Sequence, residues 1–166
     1  MSKGFTLIEL IIYSAIICLL LVGSSIFAWQ IIQGNIKIST YREVEQNINF
    51  AMEKITFAIR NSSKIVQPNT PGESSSLLEL NMQDPFKTPT RIEVSNQKLI
   101  IKEGGNGPYS LTSDLVKVTN LKFTNLSYKD TSGILKIELV IESESLAKKR
   151  EYEAKVNLEN SVSLRY

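Results

Sequence analysis

The sequence predicts an α+β protein in which a long N-terminal helix, membrane-spanning in its first half, packs on an antiparallel β-sheet head. Two observations predict the helix: residues 10–36 carry no charge and are mostly apolar, and no proline occurs before Pro68. A third predicts the sheet, because apolar and polar residues alternate in short runs through the second half of the chain. The length of 166 residues allows one domain of ordinary size.

The composition argues against an enzyme. The chain has no histidine and one cysteine, Cys18, which removes the commonest general base, the commonest catalytic metal ligand and any internal disulfide. We therefore expect no catalytic site, no metal and no cofactor. The net charge of +2 is too small to indicate a nucleic-acid partner. Acidic residues flank the basic run Lys148-Lys149-Arg150, so a solvated loop is the preferred interpretation.

The apolar run is long enough to cross a bilayer as a helix, for which roughly 20 residues suffice. Ser14, Ser24 and Ser25 interrupt the run, but a serine hydroxyl can donate to a backbone carbonyl one turn earlier and is tolerated in lipid. Trp29 is placed for the headgroup region. An ordinary cleaved secretory signal is less favoured, because its apolar core would span only about 7–15 residues.

Glu9 is the carboxylate at the edge of this apolar run. Near the centre of a bilayer, an unpaired carboxylate costs about 2.5–3.5 kcal/mol on insertion scales. The residues alone leave two interpretations open. Glu9 either lies at the interface in the first turn of the helix, where the helix dipole favours it, or it meets a positive partner in the membrane.

Beyond the membrane, the helix is predicted to continue as an amphipathic segment to about Asn61. Its apolar residues recur at offsets of three and four, which marks one helical stripe. They are Val44, Ile48, Ala51, Met52, Ile55, Ala58 and Ile59. Residues 61–63 and Pro68 provide the stop. Gly34 weakens the helix by about 1 kcal/mol relative to alanine, which favours a bend there.

The alternation in the second half predicts six or so strands in one antiparallel sheet. They lie at residues 78–80, 92–94, 99–101, 116–128, 135–141 and 152–158, with 162–164 as a possible additional short strand. Residues 68–76, 103–108 and 129–133 are predicted to be loops or turns. An amphipathic helix and a one-sided sheet each have an apolar face to cover, so the helix is expected to pack on the sheet.

The residues Lys3-Gly4-Phe5-Thr6-Leu7-Ile8-Glu9-Leu10, followed at once by the apolar run, resemble the class III signal of type IV pilins and type II secretion pseudopilins. The resemblance implies that a prepilin peptidase cleaves after Gly4 and that the new terminal residue, Phe5, becomes N-methylated. It also implies a role for Glu9 in assembly and a pilin-like fold. The implied divisions are a leader at residues 1–4, a transmembrane half at 5–33, an amphipathic half at 34–63 and a head at 64–166.

The implied role of Glu9 has a physical basis. After cleavage, Phe5 would carry a cationic amino group, and four residues of helix separate it from Glu9 by about 6 Å along the axis. In a stack of subunits, the Glu9 of one copy can meet the Phe5 ammonium of the next. Two charges that are costly in lipid then neutralise each other, so the correct stagger between subunits is favoured.

The strand pattern from Val118 to Arg165 is similar to that of J-type minor pseudopilins and related minor pilins. This similarity implies a minor, non-enzymatic subunit that initiates or caps a filament. The implied partners are the prepilin peptidase, other minor and major pilins or pseudopilins, an inner-membrane assembly platform and membrane lipid. The implied location is the cytoplasmic membrane, crossed once with the N-terminus inside and the head outside, and then a pilus or pseudopilus.

Two alternatives stay open: a competence pseudopilin in DNA uptake, and a stand-alone membrane-anchored extracytoplasmic binding domain. The charges beside the membrane segment do not favour the implied orientation. Lys3 is the only basic side chain before the apolar run, whereas Lys37 and Arg42 follow it. The positive-inside rule alone would weakly favour the opposite orientation.

Overall fold

The computed structural model describes residues 6–128, 133–144 and 153–165. A single α-helix, α1 (Leu7–Arg60), begins after the N-cap Thr6 and ends before the C-cap Asn61. The predicted helix and its end are therefore confirmed. The helix is unbroken through Gly34.

The two halves of α1 have opposite surroundings. The most apolar part of the helix has a mean hydropathy of 2.5 and none of its residues is buried in the structure, so it is long and apolar enough to cross a membrane. The second half buries the predicted stripe, namely Val44, Ile48, Ala51, Met52, Ile55, Ala58 and Ile59. One continuous helix therefore has an apolar first half that is exposed and a second half that is packed in the core.

Nine strands follow α1 in the described part of the chain. They are β1 (Ser62–Gln67), β2 (Ser74–Ser75), β3 (Leu78–Met82), β4 (Thr90–Ser95), β5 (Lys98–Glu103), β6 (Asn106–Ser110), β7 (Val116–Asn125), β8 (Ile134–Ser143) and β9 (Lys155–Ser163). They form two antiparallel sheets, one in the order β1-β3-β4-β5-β6 and the other in the order β2-β7-β8-β9. A short 3-10 helix, Pro85–Lys87, connects β3 to β4.

The head therefore contains two sheets, whereas the sequence predicted one. The division falls between β6 and β7, which are consecutive in the chain but lie in different sheets, and the short strand β2 pairs with β7 and not with its neighbours in sequence, β1 and β3. Asn125 at the end of β7 secures this arrangement: its backbone N–H donates to the carbonyl of Glu73 and its own carbonyl accepts from the N–H of Gly72. Its buried side chain also donates to the carbonyl of Pro68 at 2.9 Å.

The helix packs chiefly against β8 and β9. Leu135, Ile137, Leu139 and Ile141 alternate along β8 and are fully buried, as the period-two pattern predicted. They join the α1 stripe and the inward residues of both sheets in one hydrophobic core. The two sheets also meet through the backbone, where Val118 N–H in β7 donates to the carbonyl of Gln97 at 2.8 Å.

Several strand predictions need correction. The loop predicted at 68–76 contains β2, and the turn predicted at 103–108 is shorter, since β6 already begins at Asn106. Strand β1 was not predicted. β7 ends at Asn125, and the break in its alternation is a register irregularity between Val118 and Asn120. Residues 162–164 form no separate strand, because β9 continues to Ser163.

The strands predicted at 92–94 and 99–101 are confirmed and form the hairpin of β4 and β5. Its two central residues, Asn96 and Gln97, both have positive φ, at 50° and 62°. This is the backbone of a two-residue turn that matches the twist of the flanking strands. The predicted turn at 129–133 falls mostly outside the described residues, as do Lys148-Lys149-Arg150 and the predicted strand residue Tyr152.

Candidate functional site

The N-terminal end of α1 is closed by reciprocal hydrogen bonds between Thr6 and Glu9. The Thr6 hydroxyl accepts from the backbone N–H of Glu9 at 3.3 Å. In return, Glu9 Oε2 accepts from the backbone N–H of Thr6 at 3.2 Å and from its hydroxyl at 3.0 Å. This arrangement is a capping box, which satisfies two backbone donors that the first turn of a helix leaves without partners.

Of the three predicted site residues, the structure places Glu9, while Gly4 and Phe5 lie outside the described part of the chain. Glu9 lies in the first turn of α1, with its carboxylate bonded to Thr6, the residue that follows Phe5. The bonds to Thr6 were not predicted. The spacing Thr6-x-x-Glu9 ahead of an apolar run is the sequence signature of a capping box and would have revealed them.

The apolar half of α1 satisfies its own serine hydroxyls. Ser14 donates to the carbonyl of Ile11 at 2.9 Å, Ser24 to that of Leu20 at 2.7 Å and Ser25 to that of Leu21 at 2.8 Å. These are the bonds predicted for serine in a lipid environment. The hydroxyl donors of all three serines are therefore satisfied within the helix and need no hydrogen-bond acceptor from lipid or water.

An aromatic surface, formed by Phe50 and Phe57, lies on α1 outside the buried stripe. Phe50 is 47% exposed and Phe57 is 63% exposed, although both belong to the half of the helix that packs on the sheets. The ammonium of Lys54 lies 5.3 Å from the centre of the Phe50 ring, a cation–π contact. Phe50 and Phe57 are two helical turns apart and opposite the buried stripe, a spacing in the sequence that could have identified them.

The outer face of the β7-β8-β9 region carries charges of both signs in close pairs. Glu142 lies 2.8 Å from the ammonium of Lys155 and 3.8 Å from that of Lys117, while Lys136 lies 2.8 Å from Glu138 and 3.0 Å from Glu159. The hydrogen bond from Lys155 holds the pKa of Glu142 below its usual value, although partial burial opposes the shift. A surface of neutralised pairs gives no single-signed field for a nucleic acid.

The described residues contain no group of three or more Cys, His, Asp or Glu side chains arranged to hold a metal ion.

Two open grooves lie along the C-terminal part of α1. One, of about 550 Å³, runs between the helix and the β3 and β5 region and includes Phe57, Tyr109 and the ion pair of Lys87 with Glu103 at 3.3 Å. The other, of about 420 Å³, runs between α1 and β9 and includes Arg60 and Asn160.

Residues 1–25 match the family model of the prokaryotic N-terminal methylation motif. No curated protein and no solved structure matches the chain. The motif covers the start of the chain and the first part of the apolar helix, and it implies processing by a prepilin peptidase and assembly with other pilins.

The methylation motif thus begins a chain in which one long apolar helix packs through its second half on two antiparallel sheets. That architecture is pilin-like, and the motif marks a pilin-like subunit anchored by its N-terminal helix. Together they support the type IV pilin and pseudopilin family as the family of this chain.

Proposed function

We propose that this chain is a minor pilin or pseudopilin, a non-enzymatic structural subunit that initiates or caps a filament in the cell envelope. The observation that carries the proposal is the position of Glu9. It is a lone carboxylate in the first turn of the helix, directly before the charge-free apolar run at residues 10–36, and it accepts a hydrogen bond from the backbone of Thr6 beside the proposed cleavage site.

In this proposal, the prepilin peptidase cleaves between Gly4 and Phe5 on the cytoplasmic side, and Phe5 is then methylated. The transmembrane half, residues 5–33, keeps the subunit in the cytoplasmic membrane with the amphipathic half, 34–63, and the head, 64–166, outside. An inner-membrane assembly platform would move the subunit from the lipid into a pilus or pseudopilus. The subunit would then exchange contacts with lipid for contacts with other minor and major subunits.

Assembly would change the partner of the Glu9 carboxylate. In the single subunit, Glu9 Oε2 accepts hydrogen bonds from Thr6 of its own chain. In a filament, the Phe5 ammonium of a neighbouring subunit offers a full positive charge at the same depth. An ion pair out of water is much stronger than one at the surface, so only subunits with the correct axial stagger gain its attraction.

The exposed aromatic surface of α1 supports an assembled state. Phe50 and Phe57 lie outside the core of their own head and keep about half of their surface in water, which a neighbouring helix would cover. The minor role rests on the similarity of residues 118–165 to J-type minor subunits. Which filament the subunit serves, whether for secretion, adhesion or DNA uptake, depends on the companion subunits with which it assembles.

The direct test is mass spectrometry of the mature chain from cells that contain a prepilin peptidase. We expect a chain that begins at Phe5, carries one methyl group on its amino terminus and lacks residues 1–4. A Gly4→Leu variant should stay full-length and unmethylated. A wild-type chain that begins at Met1, or near Trp29, would contradict the proposal and favour the membrane-anchored binding domain or an ordinary secretory signal.

The minor role needs a second measurement, the abundance of this chain in isolated filaments. We expect a few copies for many copies of a major subunit, recovered with other minor subunits after mild crosslinking. A filament composed mainly of this chain would overturn the minor role and leave the family assignment intact.

A further inference from the structure

A groove of about 350 Å³ lies where α1 leaves the apolar run and meets the chain entering β9. We call it the base groove. Its lining includes Lys37, Ile38, Tyr41, Arg42 and Glu45 from α1, and Glu153 from the segment before β9. It therefore joins two cations, two carboxylates, one aromatic ring and one aliphatic side chain on the end of the head nearest to the apolar half of the helix.

The four charged side chains of the base groove lie together without neutralising one another. Among the residues that the structure describes, Lys37, Arg42, Glu45 and Glu153 form no ion pair with one another or with other groups. On the outer face of the sheet, by contrast, lysines such as Lys136 contact carboxylates within 3.0 Å. The base groove thus keeps charges of both signs available to a ligand.

With the apolar run spanning a bilayer, the base groove would lie at the level of the lipid headgroups. Residues 10–36 span about 40 Å at 1.5 Å per residue, which matches the hydrocarbon core of a bilayer together with its polar layers. Lys37 follows this span directly, and Arg42 lies about 8 Å further along the axis. Both side chains are long enough to reach back toward phosphate groups while their stems lie on apolar surface.

We propose that the base groove binds a phospholipid whose headgroup joins a phosphate to a primary ammonium, as in phosphatidylethanolamine. Lys37 and Arg42 would bind the phosphate oxygens, and Glu45 and Glu153 would accept hydrogen bonds from the ammonium. The Tyr41 ring, 49% exposed, would cover the aliphatic part of the headgroup beside Ile38. The balance of two cations and two carboxylates favours this zwitterion over a purely anionic headgroup.

A primary ammonium is required because it donates hydrogen bonds to carboxylates, whereas a quaternary ammonium has no N–H to donate. The inference rests on the proposed function in one respect, since it requires the apolar half of α1 to remain in a bilayer. It requires neither cleavage, methylation nor filament formation. Bound lipid would hold the base of the head against the membrane until the subunit enters a filament.

The test uses the full chain in nanodiscs that contain equal parts of phosphatidylethanolamine, phosphatidylcholine and phosphatidylglycerol. Native mass spectrometry after release from the nanodisc counts the lipids that remain bound. We expect phosphatidylethanolamine to be retained about tenfold over either competitor, because its headgroup alone combines the phosphate with a charged N–H donor for the two carboxylates, and a tenfold preference needs only about 1.4 kcal/mol. Retention in proportion to the bulk mixture, or a preference for phosphatidylglycerol, would overturn the proposal.

Two paired variants separate the contributions of the charges. Lys37→Gln with Arg42→Gln removes the phosphate contacts and should abolish selective retention. Glu45→Gln with Glu153→Gln keeps the cations alone and should shift the preference to phosphatidylglycerol. Arg60→Gln with Glu53→Gln removes one positive and one negative charge at the far end of α1 and should retain the wild-type preference. If both base-groove variants behave like this control, the base groove is not the lipid site.

The outcome is independent of the proposed function. An uncut, unmethylated chain that still selects phosphatidylethanolamine would contradict the pilin role and support the lipid site. A methylated chain without lipid preference would do the reverse. Circular dichroism of each variant in the same nanodiscs checks that helix and sheet content are unchanged.

Discussion

Glu9 and Thr6 hold each other across the first turn of α1, with the Thr6 hydroxyl 3.3 Å from the Glu9 nitrogen and Glu9 Oε2 3.2 Å from the Thr6 nitrogen. The hydrogen bonds to Thr6 need a side-chain oxygen at position 9, and pairing with a neighbouring ammonium needs a negative charge there. Glutamine supplies the first without the second. The two roles of Glu9 can therefore be separated by substitution.

The first prediction concerns Glu9→Gln. The amide oxygen can still accept from the Thr6 N–H, so the helix start and the insertion into membranes should be unchanged. The lost charge removes the attraction to a neighbouring Phe5 ammonium, and incorporation into filaments should fall at least tenfold. Immunoblots of membrane and sheared-filament fractions measure both quantities.

Thr6→Val is the matched control for Glu9→Gln. It removes the N-cap hydroxyl, which costs about 1 kcal/mol of helix stability, but leaves the Glu9 charge intact. Filament incorporation should stay within about twofold of the wild type. Equal loss in both variants would mean that the cap, and not the charge, limits assembly.

The second prediction separates folding from assembly on one helix. Ile55 is fully buried in the core, whereas Phe57, two residues later, is 63% exposed. Ile55→Ala should destabilise the head by about 2–5 kcal/mol through lost burial and the cavity left behind. Phe57→Ala should change stability by less than about 0.5 kcal/mol but reduce filament incorporation severalfold. Urea-dependent pulse proteolysis in detergent measures stability, and the sheared-filament fraction measures incorporation.

The opposite pattern would contradict this assignment of faces. If Phe57→Ala unfolds the head as readily as Ile55→Ala, the exposed ring belongs to the fold. If Phe57→Ala assembles normally, the aromatic surface of Phe50 and Phe57 is not a contact between subunits.

The long elements of the fold were predictable because each buries one face, so its apolar residues recur in the sequence with the period of a helix or a strand. The α1 stripe from Val44 to Ile59 and the inward residues of β8 are examples. Strands β1 and β6 show no such periodic spacing of apolar residues. All five residues of β6 are exposed at the edge of its sheet, so the backbone pairing that defines it imposes no alternation.

The division into two sheets was hidden for a different reason. The consecutive strands β6 and β7 lie in different sheets, and β2 joins the second sheet by pairing Ser74–Ser75 with Thr124 and Phe123, about 50 residues apart. The buried Asn125 secures the loop before β2. Polar residues in a loop show no periodic pattern that would identify the strand with which they pair. For the candidate site, the residue type and position of Glu9 were predictable, but its bonds to Thr6 depend on the local backbone of the helix start.

The third prediction concerns Asn125, a polar residue that is 3% exposed. Its side-chain nitrogen donates to the carbonyl of Pro68 at 2.9 Å, and its oxygen accepts from the N–H of Ser127 at 2.9 Å. Asn125→Ala should cost about 1–3 kcal/mol, because both backbone groups lose their partner in a buried site. Hydrogen exchange should accelerate at Gly72 and Glu73, while exchange in β8 stays slow.

Thr124→Ala serves as the control for Asn125→Ala. It removes only the exposed hydrogen bond between Thr124 and Ser74, at 2.9 Å, and should change stability by less than about 0.5 kcal/mol. Uniform acceleration of exchange across both sheets in Asn125→Ala would show that Asn125 supports the whole head and not this loop in particular.

The fourth prediction is an acid-sensitive loop at residues 69–73. The backbone N–H of Thr70 and its hydroxyl both donate to Glu73 Oε2, at 2.9 Å and 2.8 Å, and hold the pKa of Glu73 below its usual value of 4.5. Because the folded pKa lies below the unfolded one, the carboxylate stabilises the fold above about pH 4.5, and this contribution disappears as the pH falls through the folded pKa.

The test is thermal unfolding followed by circular dichroism from pH 7 to pH 3. The melting temperature should fall less steeply at acid pH in Glu73→Gln than in the wild type. Thr70→Val keeps the backbone donor, so its melting temperatures should lie between the two. Some slope will remain in Glu73→Gln, since Glu138 and Glu142 also have lowered pKa values from their bonds to Lys136 and Lys155. Parallel curves for the wild type and Glu73→Gln would place the acid sensitivity in those sheet pairs and not in the loop.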